Sequence, residues 1–98
     1  MLNQVVLVGR VARIEADRSN LAYEKANVSL AITKSYKNSD GEYETIFVPV
    51  SLYNGVAKNT MEYVKKGDVI GVKGTINCIS NQISINVERV TFLSSKKD

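Results

Sequence analysis

Apolar and polar residues alternate with a period of two through most of this chain, as in β-strands that bury one face. Asn27 to Tyr36 alternates cleanly, with Val28, Leu30 and Ile32 on one face and Ser29, Ala31 and Thr33 on the other. Tyr43 to Tyr53 does the same. Ile46, Val48, Val50 and Leu52 share one face, and Phe47, Pro49, Ser51 and Tyr53 share the opposite one. Between these segments Lys37-Asn38-Ser39-Asp40-Gly41-Glu42 carries an Asp-Gly turn signal, so they form a hairpin. Pro49 has no N–H to give a ladder, so its strand needs a free or bulged stretch there.

Gln4 to Ile14 is apolar on both parities, with Val5, Leu7 and Val11 on one and Val6 and Val8 beside Arg10 on the other. Two apolar faces suggest burial on both sides, as in a barrel strand that also meets another subunit. Gly9 lies where such a strand could coil sharply, and the polar stretch 15–26 reads as a loop. After the hairpin the period changes. Asn54 is placed to cap a helix, Val56, Thr60, Tyr63 and Val64 recur at helical spacing, and Gly67 supplies the stop. Val69 to Ile79 is a fourth strand with bends at Gly71 and Gly74, and Asn81-Gln82 turns the chain into a fifth. That strand begins with Ile83, Ile85 and Val87 inward, then switches parity to Val90 and Phe92, which implies a bulge near Glu88 and Arg89.

Strand, strand, strand, helix, strand, strand predicts an all-β domain with one short helix. The architecture is a five-stranded Greek-key OB-fold barrel over residues 1–93, with residues 94–98 expected to fray. Ninety-eight residues make one domain with a modest core. Burial against other copies would add to the stability of so small a barrel. No apolar run approaches the ~20 residues of a membrane span and no secretory leader pattern opens the chain, so a cytoplasmic location is expected. The single cysteine, Cys78, fits a reducing compartment. It shares parity with Ile70, Val72 and Ile76 and reads as a small core residue.

The composition excludes more chemistry than it suggests. The chain holds no histidine, which removes the commonest general base and the commonest metal ligand together. A lone cysteine adds no zinc site. No phosphate-cradling Gly-Lys-Ser/Thr loop occurs either, since Lys66-Gly67-Asp68 ends a helix rather than starting one. Asp40, Glu42 and Glu44 fall at the hairpin, where they read as a solvated rim. The expectation is a binding module, not an enzyme, that needs no cofactor or metal. A formal charge of +3 permits a polyanionic partner without demanding one.

Single-strand nucleic-acid binders combine a basic groove with aromatic faces on which bases stack. Phe47 and Tyr53 lie opposite four aliphatics, where packing has no evident need of an aromatic. Arg10, Arg13, Lys34, Lys37 and Lys73 could supply phosphate contacts around them, while Lys65 and Lys66 suit the helix C-terminus instead. Phe47 and Tyr53 have a second reading, as cover for a subunit interface. Tyr36 shares parity with Val28, Leu30 and Ile32, so it is either a core tyrosine or one released by a bulge or by the hairpin's flare. Tyr63 reads as helix packing, and Tyr43, beside the turn, suits either task.

Four stretches resemble bacterial single-stranded DNA-binding proteins. Met1 to Arg10 is similar to their opening, Ala26 to Ile32 to their second strand with an aromatic position at Tyr36, and Phe47 to Asn54 to their third strand with two stacking aromatics. Tyr63 to Gly74 is similar to their helix end and fourth strand. The resemblance spans residues 1–93 and implies binding of single-stranded DNA without strong sequence preference, in replication, recombination or repair. Bases would stack on Tyr36, Phe47 and Tyr53, and Arg10, Arg13, Lys34, Lys37 and Lys73 would hold phosphates. It also implies a homotetramer ahead of a homodimer, in a bacterium or encoded by a phage or mobile element.

Some positions depart from that pattern. Asn81 stands where such relatives commonly have a further tryptophan. Asn77, Ile79 and Ser80 stand where they carry basic residues, and the last hairpin is short. These relatives also continue into a glycine-rich linker and an acidic partner-recruiting tip, whereas this chain closes on Ser95-Lys96-Lys97-Asp98, so a tail-less form is expected. In those respects the chain is also similar to the primosomal replication protein N family. That likeness carries the alternative expectation of an adaptor working mainly through protein contacts.

Overall fold

The structure, a computed structural model, describes residues 1–16 and 25–94. Its elements run β1 (Val5–Ala16), β2 (Lys25–Lys37), β3 (Tyr43–Tyr53), α1 (Asn54–Tyr63), β4 (Val69–Ile79) and β5 (Gln82–Ser94). The strands close a barrel in the order β1-β2-β3-β5-β4, which is the OB-fold that the pattern predicts.

β1 serves two ladders. Its first half pairs antiparallel with β4 and its second half with β2, and Arg10 lies opposite both Val69 and Ala31. The strand changes partner beside Gly9, where β2 passes close to its backbone. A Cβ there would lie 2.9 Å from Ile32 Cγ1 and 3.0 Å from the Ala31 carbonyl oxygen. β2 and β3 form the first hairpin, in continuous register from Lys25↔Tyr53 to Thr33↔Thr45. At its tip Asn38 Oδ1 accepts from the backbone N–H groups of Asp40 (2.9 Å) and Glu42 (3.0 Å), and Gly41 takes the left-handed backbone that the Asp-Gly signal requires (φ 79°).

β3 and β5 meet in parallel through Val50↔Ile85 and Ser51↔Asn86. The stretch of β3 before Val50 is therefore free on that edge, which is where Pro49 falls. β4 and β5 form a long second hairpin turned by Ser80 and Asn81, both left-handed (φ 52° and 63°), the conformation that suits a two-residue hairpin turn. The turn sits one residue earlier than the pattern suggests. Lys73 faces Arg89 and Gly74 faces Val87, so Glu88 is the extra residue of the bulge that the parity switch implies. The radius of gyration is 14.2 Å, against about 13 Å for an ordinary compact domain of this length.

Val11, Val28, Leu30, Val50, Leu52, Ile70, Val72 and Val87 fill the barrel from the strands, and Ala57, Thr60 and Val64 close it from α1 and its end. The helix has no side-chain cap, no acidic residue in its first turn and no basic residue in its last. Its stability therefore comes from this packing rather than from local signals.

Several local expectations fail for identifiable reasons. Glu15 and Ala16 extend β1, and Lys25 and Ala26 extend β2, because pairing continues past the apolar pattern. The rest of the expected loop lies outside the described residues. Asn54 does not cap α1. Tyr53 holds that position and Asn54 takes a left-handed backbone (φ 50°), which asparagine tolerates. The helix ends at Tyr63, before Gly67. The glycine (φ 99°) belongs to a separate turn in which Asp68 Oδ2 accepts from the Lys65 N–H (2.9 Å). Lys65 and Lys66 thus lie beyond the helix terminus they were expected to serve. Gly71 stays in register, and the bend falls at Gly74 alone of the two. Tyr63 is exposed and meets Phe92 edge to face at 6.1 Å rather than entering the core. Cys78 is exposed too, because the hairpin has run past the barrel and inward parity there faces no core. β5 continues through Ser94, paired with Val69, and the remaining residues expected to fray lie outside those described. Among the described residues no helix is long and apolar enough to cross a membrane.

The bulge at Glu88 brings the Asn86 carbonyl against Gly74 so closely that a Cβ at Gly74 would overlap it, whereas at Gly71 the nearest atom, Val8 Cγ2, is 3.7 Å away. Gly74→Ala is expected to lower the unfolding free energy by about 3 kcal/mol and Gly71→Ala by less than about 1 kcal/mol, as read from urea denaturation.

Candidate nucleic-acid interface

Strict alternation from Val11 would point Arg13 into the core. A bulge in β1 prevents it. Val11 faces Leu30 but Arg13 faces Ser29, so Ala12 is the extra residue and Ile14 becomes the one that packs on the core. Arg13 and Glu15 consequently turn outward, their side chains 75% and 54% exposed. They join Arg10 on the outer face of β1.

The ladders arrange this outer face as rows across β1, β2 and β3. Arg10 lines up with Ala31 and Phe47, Arg13 with Ser29 and Pro49, Glu15 with Asn27 and Ser51, and Lys25 with Tyr53. Phe47 and Tyr53 thus share one face, as expected, at opposite ends of the grid. They stand about 20 Å apart at ~3.3 Å per residue. Phe47 is 64% exposed and Tyr53 38%. Lys25 Nζ lies 5.7 Å from the Tyr53 ring centroid, a cation–π distance. Between the two aromatics Arg13 Nη2 and Glu15 Oε1 pair at 2.6 Å, and Ser51 Oγ donates to Asn27 Oδ1 at 3.1 Å. A shallow cavity of about 190 Å³, lined by Arg13, Glu15, Asn27, Val28, Ser29 and Pro49, opens there.

A second group gathers at the far end of the first hairpin. The β2–β3 register shifts between Thr33 and Lys37, and this flare releases Tyr36 to 64% exposure. Lys34 Nζ lies 5.8 Å from the Tyr36 ring and 3.7 Å from Glu44 Oε1, and Lys37 Nζ lies 5.7 Å from the ring of Tyr43. Each of Tyr36, Tyr43 and Tyr53 therefore carries its own lysine, so an aromatic face and a phosphate-binding charge occur side by side.

Arg10 is held differently, with Nη1 donating to the Gly67 carbonyl at 2.6 Å. Lys73 stands apart from both groups. Its cross-strand neighbours are Val6 and Arg89, and it borders a separate apolar groove of about 300 Å³ with Val8, Gly71 and Leu93. A cavity of about 510 Å³ beside Tyr63 and Phe92 holds none of the expected residues. Two charged residues of this face, Glu15 and Lys25, were not singled out by sequence reasoning. Carrying β2 two residues further back in register would have set Lys25 across from Tyr53.

A closed OB barrel with exposed aromatics and cations on one sheet face has the layout of a single-strand nucleic-acid binder. The model of the Single-strand binding protein family matches residues 2–93, and the chain belongs to that family. It is 39% identical over 90 residues to "Single-stranded DNA-binding protein B" of Bacillus subtilis, covering 89% of this chain and 80% of that one. In fold it is similar to a small single-stranded DNA binding protein from Mycoplasma pneumoniae, with TM-score 0.75 and 14% identity over 99% of this chain and 100% of the other. It is also similar in fold to the protein PriB from Ralstonia solanacearum, with TM-score 0.71 and 12% identity over 94% and 98% of the two chains.

The cations differ in what they do for the fold. Arg13 and Lys34 are engaged in exposed or half-exposed ion pairs, so Arg13→Met and Lys34→Met should each change the unfolding free energy by less than about 0.5 kcal/mol. Arg10→Met, which removes a charged hydrogen bond to a backbone carbonyl, should cost about 1.5 kcal/mol. Chemical denaturation of the three variants checks the contrast.

Proposed function

We propose that this protein binds single-stranded DNA along the outer face of β1, β2 and β3. Bases stack on Phe47 and Tyr53, and on Tyr36 where the strand reaches the hairpin. Arg10, Lys25, Lys34 and Lys37 hold phosphates beside them, Arg13 meets the strand from the row of Ser29 and Pro49, and Lys73 serves a strand that wraps onto β4. The observation that carries this reading is the exposure of two aromatics on the face of β3 turned away from the core, each in a cross-strand row that includes a cation. Phe47 is mostly exposed there, so its ring is free to stack. Stacking and phosphate contact recognise features that every nucleotide has, so binding is largely indifferent to sequence. The reading places the protein in replication, recombination or repair, in the cytoplasm, as a binder rather than a catalyst.

Self-association belongs to the same reading. Two apolar surfaces lie off the β1–β2–β3 face: the groove of Val6, Val8 and Leu93, which Lys73 borders, and the hairpin face of Ile76, Cys78, Ile83 and Ile85, which the β4–β5 register sets side by side. Two separate self-complementary patches are what a homotetramer built as a dimer of dimers requires. The same patches would serve an adaptor that acts mainly through protein contacts, which is the competing reading.

Fluorescence anisotropy of labelled oligo-dT across a salt series distinguishes them. Phe47→Ala and Tyr53→Ala should each weaken binding by about 1–3 kcal/mol, roughly 5- to 150-fold, measured at temperatures where both variants remain folded. Log affinity should fall by ~0.7 per contacted phosphate for each unit of log salt. No binding at low salt would favour the adaptor. For the assembly, light scattering should give a tetramer mass, halved by Ile83→Asp on the hairpin face. An unchanged mass would remove that face from the interface.

A further inference from the structure

We infer that the cavity between Phe47 and Tyr53 is a base-edge subsite that prefers guanine, with Glu15 and Arg13 as its reading pair. The inference rests on the DNA-binding reading above. It starts from an anomaly in the grid: Glu15 puts a carboxylate in the middle of a face whose other charged side chains are the cations Arg10, Arg13 and Lys25. A phosphate passing over this row would be repelled. The exposed pair it makes with Arg13 does little for stability, so the fold does not account for it.

The neighbouring rows say what fits. A strand stacked at Phe47 and again at Tyr53 must carry nucleotides across the rows between, where no aromatic is available. The surface there offers the Pro49 ring, the Ser29 hydroxyl, the Asn27 amide and the Arg13–Glu15 pair around about 190 Å³. That is room for the edge of one base, and the neighbouring carboxylate disfavours a phosphate group there. Arg13 Nη2 and Glu15 Oε1 are 2.6 Å apart, so a donor and an acceptor stand next to each other at the mouth. A carboxylate accepts only, and can accept two donors at once. Guanine presents N1–H and the N2 amino group side by side, with O6 beside them to accept from Arg13. Cytosine and adenine each offer Glu15 an amino group alone, and thymine a single N3–H.

The test is anisotropy with labelled oligo-dT carrying one central dG, dI, dC or dA, on the wild-type chain and on Glu15→Gln. The dG oligomer should bind roughly fivefold tighter than plain oligo-dT, the low end for a bidentate base contact. Inosine, which lacks the N2 amino group, should lose most of that gain. Glu15→Gln should abolish the dG preference while holding plain oligo-dT at least as tightly. Equal affinities for all five oligomers, or a dG preference that survives Glu15→Gln, would overturn the subsite and leave single-strand binding intact. Absence of binding to any oligomer at low salt would overturn both.

Discussion

The structure depends on β1 being shared between two ladders. A sheet that ended at β1 would leave a row of unpaired backbone groups, and closure removes that edge. Here closure is achieved by one strand that pairs with β4 at its start, with β2 at its end, and changes partner at Gly9 and Arg10. The turn after the helix is fastened to the same point: Val11 N–H donates to the Asp68 carbonyl, Gly67 N–H to the Val11 carbonyl, both at 2.8 Å, and Arg10 caps the arrangement from its side chain. One short segment thus sets the coil of the barrel, the start of β4 and the position of the helix. The Ala12 bulge just beyond it then decides which side chains reach the outer face.

How much of this was legible depends on how strictly each strand buries one face. β3 and β4 could be read to the residue because one-sided burial forces alternation, and a slip by one residue would invert every side chain. The Glu88 bulge was legible as a change of parity between Val87 and Val90. The Ala12 bulge writes the same signal, from Val11 to Ile14, but Val6 and Val8 make β1 apolar on both parities and hide it. Lys25 escaped notice because Ala26 is the only apolar residue at that end of β2, too little to register as a strand. Cys78 shows the opposite limit. Parity reports which face a residue is on, and not whether the barrel still lies behind that face.

The aromatic positions divide by the rigidity of what holds them. Phe47 and Tyr53 stand on a strand locked in register with β2 along its length, so little ordering is lost when a ligand settles on them. Tyr36 and Tyr43 lie beyond the register shift, where the hairpin leaves the barrel. Their lysine partners keep cation and ring together even there, so a local unit of recognition survives where the global ladder does not. The first pair forms a fixed platform and the second an adaptable one.

The joint between β3 and β5, only two residue pairs long among the described residues, has a consequence for how the barrel opens. Each of the other four junctions is a longer antiparallel ladder, two within hairpins and two along β1. The β3–β5 joint is parallel, links segments far apart in the chain, and bears the full entropy of closing that loop for very few backbone bonds. With so few backbone bonds it is the seam expected to open before the longer ladders. Amide hydrogens near Val50 and Ile85 would exchange with solvent through brief opening of this seam, well before the barrel as a whole unfolds. The sheet would then unroll about β1 like a hinged plate while its stacking face stays whole.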